Sequence, residues 1–141
     1  KYIDTGKVRF ALREFPFDPL ATAGFMLARC AGPDKREAMV DLLFAQQKNW
    51  AFTDKPLEGL SNLVKQTGMS QQAFEACLKD QKLAEQIQGV AQRGNEQFKV
   101  ESTPTFFING EVYEGKPTYE GLKKAISEAL KIQKVPAKKR A

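Results

Sequence analysis

The run ESTPTFFINGEVYEG, from Glu101 to Gly115, limits the fold more than any other part of the chain. It has the strongest strand character in the sequence, yet Pro104 stands at its mouth, and proline has no N–H to give a neighbouring strand. Proline in a sheet belongs at a first position, an edge or a bulge, so the backbone at Pro104 is left open to something outside the sheet. Further on, Asn109-Gly110 tolerates the positive φ angles of a type I′ turn. The pair predicts a hairpin between strands Thr105 to Ile108 and Glu111 to Tyr113. Phe106 and Phe107 then point to opposite faces, which predicts a sheet covered on both sides.

Hydrophobic spacing supplies the other elements. Val8, Phe10 and Leu12 alternate with Arg9, Ala11 and Arg13, a period of two that predicts a first strand over residues 8–13. Asp18 caps and Pro19 opens a helix over about residues 19–31, ended by Gly32. A second helix starts near Pro33 and Asp34 and carries Met39, Leu42, Leu43, Gln46 and Trp50 on one stripe. Pro56 opens a third with Leu57, Leu60, Leu63 and Val64, stopped by Gly68, and Ser70 caps a fourth whose inner face is Ala73, Phe74, Cys77 and Leu78. A fifth runs from about Gln81 to Phe98 on Leu83, Ile87, Val90 and Ala91, with Gly89 and Gly94 weakening its continuity. After the hairpin, Thr118 caps a closing helix with Leu122, Ala125, Ile126, Ala129 and Leu130 inward. The opening KYIDTGKV reads as a last helical turn closed by Gly6, so the chain is expected to follow a segment lost upstream.

Composition removes whole classes of chemistry. The 141 residues contain no histidine, which excludes Ser-His-Asp and Cys-His catalysis and most zinc patterns. Two cysteines are too few for a four-cysteine metal site, so neither a metal nor a cofactor is expected. No paired carboxylates suggest glycosidase chemistry, and no Gly-rich run precedes a helix with a following Lys-Ser or Lys-Thr. No apolar run approaches the roughly 20 residues of a membrane span. The net charge of +5 is held by Lys131, Lys134, Lys138, Lys139 and Arg140, while the rest of the chain balances 17 basic against 17 acidic residues. A basic excess confined to a tail over 131–141 is a solvated terminus, not the structured basic face of a nucleic-acid module.

The element order, with VRFALREFPFDPLA near one end and ESTPTFFINGEVYEG near the other, resembles the DsbA-like thiol:disulfide oxidoreductases. The resemblance implies an α/β thioredoxin-like fold with an inserted α-helical domain, N-terminally truncated, in the order strand, five helices, β-hairpin, helix. Residues 1–18 and 99–130 would form the thioredoxin-like part and residues 19–98 the mostly helical insertion. It further implies that Pro104 is cis, and that Thr103 offers its main-chain N–H and C=O to an extended substrate by β-type pairing. The family's first strand and Cys-X-X-Cys are not in this sequence, so no catalytic residue is assigned to it. In the family that strand lies between the strands at residues 8–13 and 105–108. Its place is expected to be filled by an N-terminal segment or by self-association with another copy.

Cys30 and Cys77 lack the spacing of a redox pair. A Cys-X-X-Cys works at a helix N-terminus, where the dipole favours a thiolate, whereas Cys30 stands near a helix C-terminus and Cys77 on an apolar mid-helix face. Two readings stay open: a pair of small buried hydrophobes, or a structural disulfide within the insertion, which the family's export to an oxidising periplasm would favour. Phe15 and Phe17 either line a substrate groove or staple a helix start, and Trp50 needs a partner for its indole N–H.

The function expected is therefore that of the C-terminal portion of an exported, periplasmic oxidoreductase acting on unfolded, cysteine-containing polypeptides with a membrane redox partner and no nucleic acid. The alternatives are a redox-silent peptide-binding module and a relative of the kappa-type glutathione transferase and isomerase group, which uses a serine and glutathione.

Overall fold

The computed structural model describes residues 2–133, and these cluster into two compact units. One comprises the residues up to Leu12 together with those from Val100 on, and the other Arg13–Lys99.

The unit of residues 13–99 is helical. Helix α1, Pro19–Cys30, begins where the Asp18 side chain accepts a hydrogen bond from the Ala21 N–H at 2.7 Å and proline fills the first helical position. Helix α2 is Arg36–Ala45, followed by one 3₁₀ turn, Gln47–Asn49. Trp50 therefore lies beyond the helix and not on its stripe. It remains buried because its Nε1–H donates to the Leu43 carbonyl oxygen at 3.0 Å. Helices α3, Pro56–Lys65, α4, Gln71–Leu78, and α5, Gln81–Phe98, complete the unit. Ser70 and Asp80 cap the last two through their side-chain oxygens. Helix α5 passes through Gly89 and Gly94 without a break and ends at Lys99.

Helix α1 is the hub, packing on α2, α3, α4 and α5. Met26 and Leu27 meet Met39, Leu43, Leu60, Val64, Phe74 and Ile87 in one core. Two expected inward residues face out: Leu57 and Ala73, each in the first turn of its helix, are exposed.

The second unit is thin. Its sheet has two strands, β1, Phe107–Ile108, and β2, Glu111–Val112, paired antiparallel with Phe107 opposite Val112 and Ile108 opposite Glu111. Asn109 and Gly110 take φ of 52° and 83°, the positive pair that a two-residue primed turn demands. The ladder is extended by the Tyr113 N–H, which donates to the Phe106 carbonyl at 2.8 Å, and the two rings meet edge to face. Phe107 is exposed, so the sheet is covered on the Phe106 side and open on the other. Helix α6, Tyr119–Gln133, starts where Thr118 Oγ1 accepts from the Gly121 N–H. Its residues Leu122, Ala125, Ile126, Ala129 and Leu130 are half-buried. Tyr2 ties the N-terminal turn to this helix through a 2.7 Å hydrogen bond to Ser127 Oγ. That turn closes at Gly6 by Lys7 N–H to Tyr2 O and Gly6 N–H to Ile3 O, the crossed pair of a helix C-cap.

The strand expected over residues 8–13 does not form. Strand geometry requires a ladder, and among the described residues no neighbour pairs with this segment. Phe10 and Leu12, meant for one buried face, are 55% and 44% exposed. The unit boundary also falls at Leu12–Arg13 and not after residue 18. Glu14 explains this: its carboxylate, 3% exposed, takes a two-pronged grip from Arg29 and a second bond from Arg36, fixing the chain to α1 and α2 before the first helix begins. At the other end, α6 runs through Lys131 to Gln133, and the remainder of the expected basic tail lies outside the described residues.

Candidate functional site: the Thr103–Pro104 loop

The loop begins where Lys99, in a left-handed conformation at φ 57°, stops α5. Residues Glu101, Ser102, Thr103 and Pro104 that follow are all exposed, and the Thr103–Pro104 peptide bond is cis. Thr105 Oγ1 donates to the Ser102 carbonyl at 2.5 Å, a bond that spans Thr103 and Pro104. The loop leads into β1 within the same unit, and the Phe106–Tyr113 pair fixes the hairpin immediately behind it. Among the described residues, no backbone hydrogen bond engages the N–H or C=O of Thr103. An exposed donor and acceptor on one residue can take two hydrogen bonds from an extended peptide, the unit of β-strand addition.

Farther along, the Tyr113 hydroxyl donates to the Lys116 carbonyl at 2.7 Å and crosses over Gly115 and Gly121. A side chain at either glycine would collide with the phenol ring or its oxygen. The turn from the hairpin into α6 is thus shaped by the residue that also closes the ladder.

The two cysteines lie elsewhere, in the helical unit. Cys30, the last residue of α1, and Cys77, in the last turn of α4, are bridged, with Cα atoms 6.2 Å apart, so neither is a free thiol. Sequence separation left that distance open, and it is the packing of α4 on α1 that brings the sulfurs together. Phe15 and Phe17 meet edge to face at 5.6 Å. Phe17, with Pro16, Pro19, Thr22 and Gln88, lines an open cleft of about 340 Å³ between the start of α1 and the middle of α5. Among the described residues no cluster of acidic, histidine or cysteine side chains could hold a metal ion, and no helix is long and apolar enough to cross a membrane. Nothing in the sequence pointed to Glu14, because its two arginine partners are distant along the chain and meet it only when α1 and α2 pack.

A model of the thioredoxin family matches residues 1–128. The chain belongs to the thioredoxin family.

Within that family its fold is that of the DsbA-like proteins. Alpha-DsbA1 of Wolbachia pipientis superposes with a TM-score of 0.83 over 96% of this chain and 76% of that one, at 22% identity. A protein-disulfide isomerase from Novosphingobium aromaticivorans gives 0.81 over 91% and 77%, at 18% identity. Among curated proteins, a candidate protein-disulfide oxidoreductase of Rickettsia felis is 30% identical over 139 residues, and one of Rickettsia bellii 31% over 134. These alignments take in 98% and 92% of this chain but only 50% and 51% of the relatives. The chain therefore spans about half the length of the curated relatives it matches.

Proposed function

We propose that this chain is the substrate-docking portion of a DsbA-like thiol:disulfide oxidoreductase. The observation that carries the reading is Thr103, exposed and with its backbone N–H and C=O unengaged by backbone hydrogen bonds among the described residues, beside Pro104. An unfolded, cysteine-containing polypeptide lies along this residue as an added strand. The thiolate that attacks its disulfide, or the disulfide that accepts its electrons, comes from a Cys-X-X-Cys outside these 141 residues. Membership of the thioredoxin family and the relatives' names support this reading, as does their greater length. A membrane-bound redox partner would restore the dithiol. The bridged cysteines suit an oxidising, exported compartment.

The open flank at residues 8–12 belongs to the same proposal. Exposed Phe10 and Leu12 suit burial against a strand that the described residues do not supply, from polypeptide N-terminal to Lys1 or from a second copy. Sedimentation of the chain alone distinguishes the two, since only the second gives a dimer.

The activity is tested with insulin reduction and scrambled-ribonuclease refolding. The chain alone is expected to give no turnover, and a polypeptide of the relatives' length that contains it to give turnover in both. In that longer polypeptide Thr103→Pro, which deletes the N–H donor, should raise KM for a peptide substrate. Turnover by the chain alone would assign the chemistry to Cys30 or Cys77 and overturn the reading.

A further inference from the structure

The Cys30–Cys77 bridge is one-sided. Cys30 is exposed at the end of α1, whereas Cys77 is 4% exposed and belongs to the core with Met26 and Phe74. The Cys77 sulfur also lies 3.2 Å from the Met26 carbonyl oxygen. Exchange with an external thiol requires a thiolate to approach one sulfur in line with the S–S bond while the other leaves. Of the two residues that carry this bond, Cys30 is the exposed one and Cys77 is buried. The partner that must leave faces a carbonyl oxygen and the C-terminal end of α4, both of which disfavour negative charge on sulfur.

We infer that Cys30 is a site of covalent modification by small thiols of the glutathione class. The attacking thiolate forms a new S–S bond to the Cys30 sulfur, and the Cys30–Cys77 bond breaks. Cys77 departs with the electron pair, takes a proton from water and, as a thiol, donates to the Met26 carbonyl. One disulfide replaces another, so no oxidant or reductant is consumed beyond the thiol itself. The asymmetry then preserves the product. Resolution needs Cys77 as a thiolate, and Cys77 is buried, protonated and hydrogen-bonded, so the adduct on Cys30 persists where an exposed pair would close again. The helical unit gains a slow, single-entry thiol mark, independent of whether the Thr103 loop docks peptide.

The test incubates the native chain with reduced glutathione, quenches with acid and unfolds it in urea with N-ethylmaleimide. Trypsin cleavage after Arg29 and Lys79 puts the two cysteines on separate peptides for mass spectrometry. The expected result is glutathione on Cys30 and maleimide on Cys77, exceeding the inverse pattern by at least about tenfold, with both patterns comparable when glutathione is added in urea. Comparable labelling of Cys77 in the native chain, or adduct formation no faster than global unfolding, overturns the proposal. Two single variants give a second reading. With oxidised glutathione, Cys77→Ser should be labelled at Cys30 under native conditions, and Cys30→Ser should resist labelling at Cys77 until unfolded. Equal labelling of the two variants contradicts it.

Discussion

The two units of this chain use the same kind of sequence to different ends. Among the described residues, every buried hydrophobic side chain belongs to the helical unit of residues 13–99, and none to the other unit. A helix satisfies its own backbone, so α1 needs only apolar neighbours, and the four helices packed around it supply them. A strand cannot do this. Its N–H and C=O groups need a neighbouring strand before its side chains have a face to bury, and the segment at residues 8–13 has none among the described residues. Helical sequence closes a core locally, whereas strand sequence depends on what lies beside it.

The contrast can be broken in order of expected effect. Replacing both cysteines by serine opens a bridge spanning a 47-residue separation. On the chain-entropy model this removes about 4 kcal/mol, read as a drop in the urea midpoint. Leu60→Ala empties a fully buried position between α3 and the core and should cost about 3 kcal/mol in the same titration. A loss well under that would mean the helical core is looser than its burial suggests. Asp18→Ala deletes the cap of α1 and should cost about 1 kcal/mol. Gly89→Ala should have the opposite sign: the position is helical with no atom within 4 Å of the added methyl, so the thermal midpoint should rise by the equivalent of about 0.5 kcal/mol.

The smallest effects belong to the other unit. Phe10→Ser and Val112→Thr alter exposed residues and should each change stability by no more than about 0.5 kcal/mol. These variants sharpen the comparison as much as they test it. A large loss for Phe10→Ser would show that a second copy covers this flank in the chain alone, whereas a strand from polypeptide N-terminal to Lys1 leaves it exposed there. Hydrogen exchange gives the same comparison without mutation, with α1 amides expected to outlast those of the β1–β2 hairpin.

The legibility of the fold follows the same division. The helices of residues 19–98 could be placed from caps and spacing because those signals are local: Asp18-Pro19, Pro56 and Ser70 each mark a start that the structure shows. Asn109-Gly110 located the hairpin for the same reason. The stripe that carried Trp50 was misleading, since the helix ends at Ala45 and the indole reaches back to Leu43 from a 3₁₀ turn. The alternation at residues 8–13 was misleading in another way: a period of two records what a segment could bury, not whether a partner strand exists. At the loop, proline chemistry singled out Pro104 and the family resemblance added Thr103, but the absence of backbone partners for Thr103 is a property of the folded chain. Glu14 was invisible because its two guanidinium partners are assembled by helix packing alone.

Amide-resolved NMR of the chain, titrated with an extended cysteine-containing peptide, addresses the docking role most directly. The account predicts that the largest shifts fall on Ser102, Thr103 and Thr105, with the interior of α1 unmoved. Shifts confined to residues 13–99, or a Thr103 amide that stays still while peptide binds elsewhere, would contradict it.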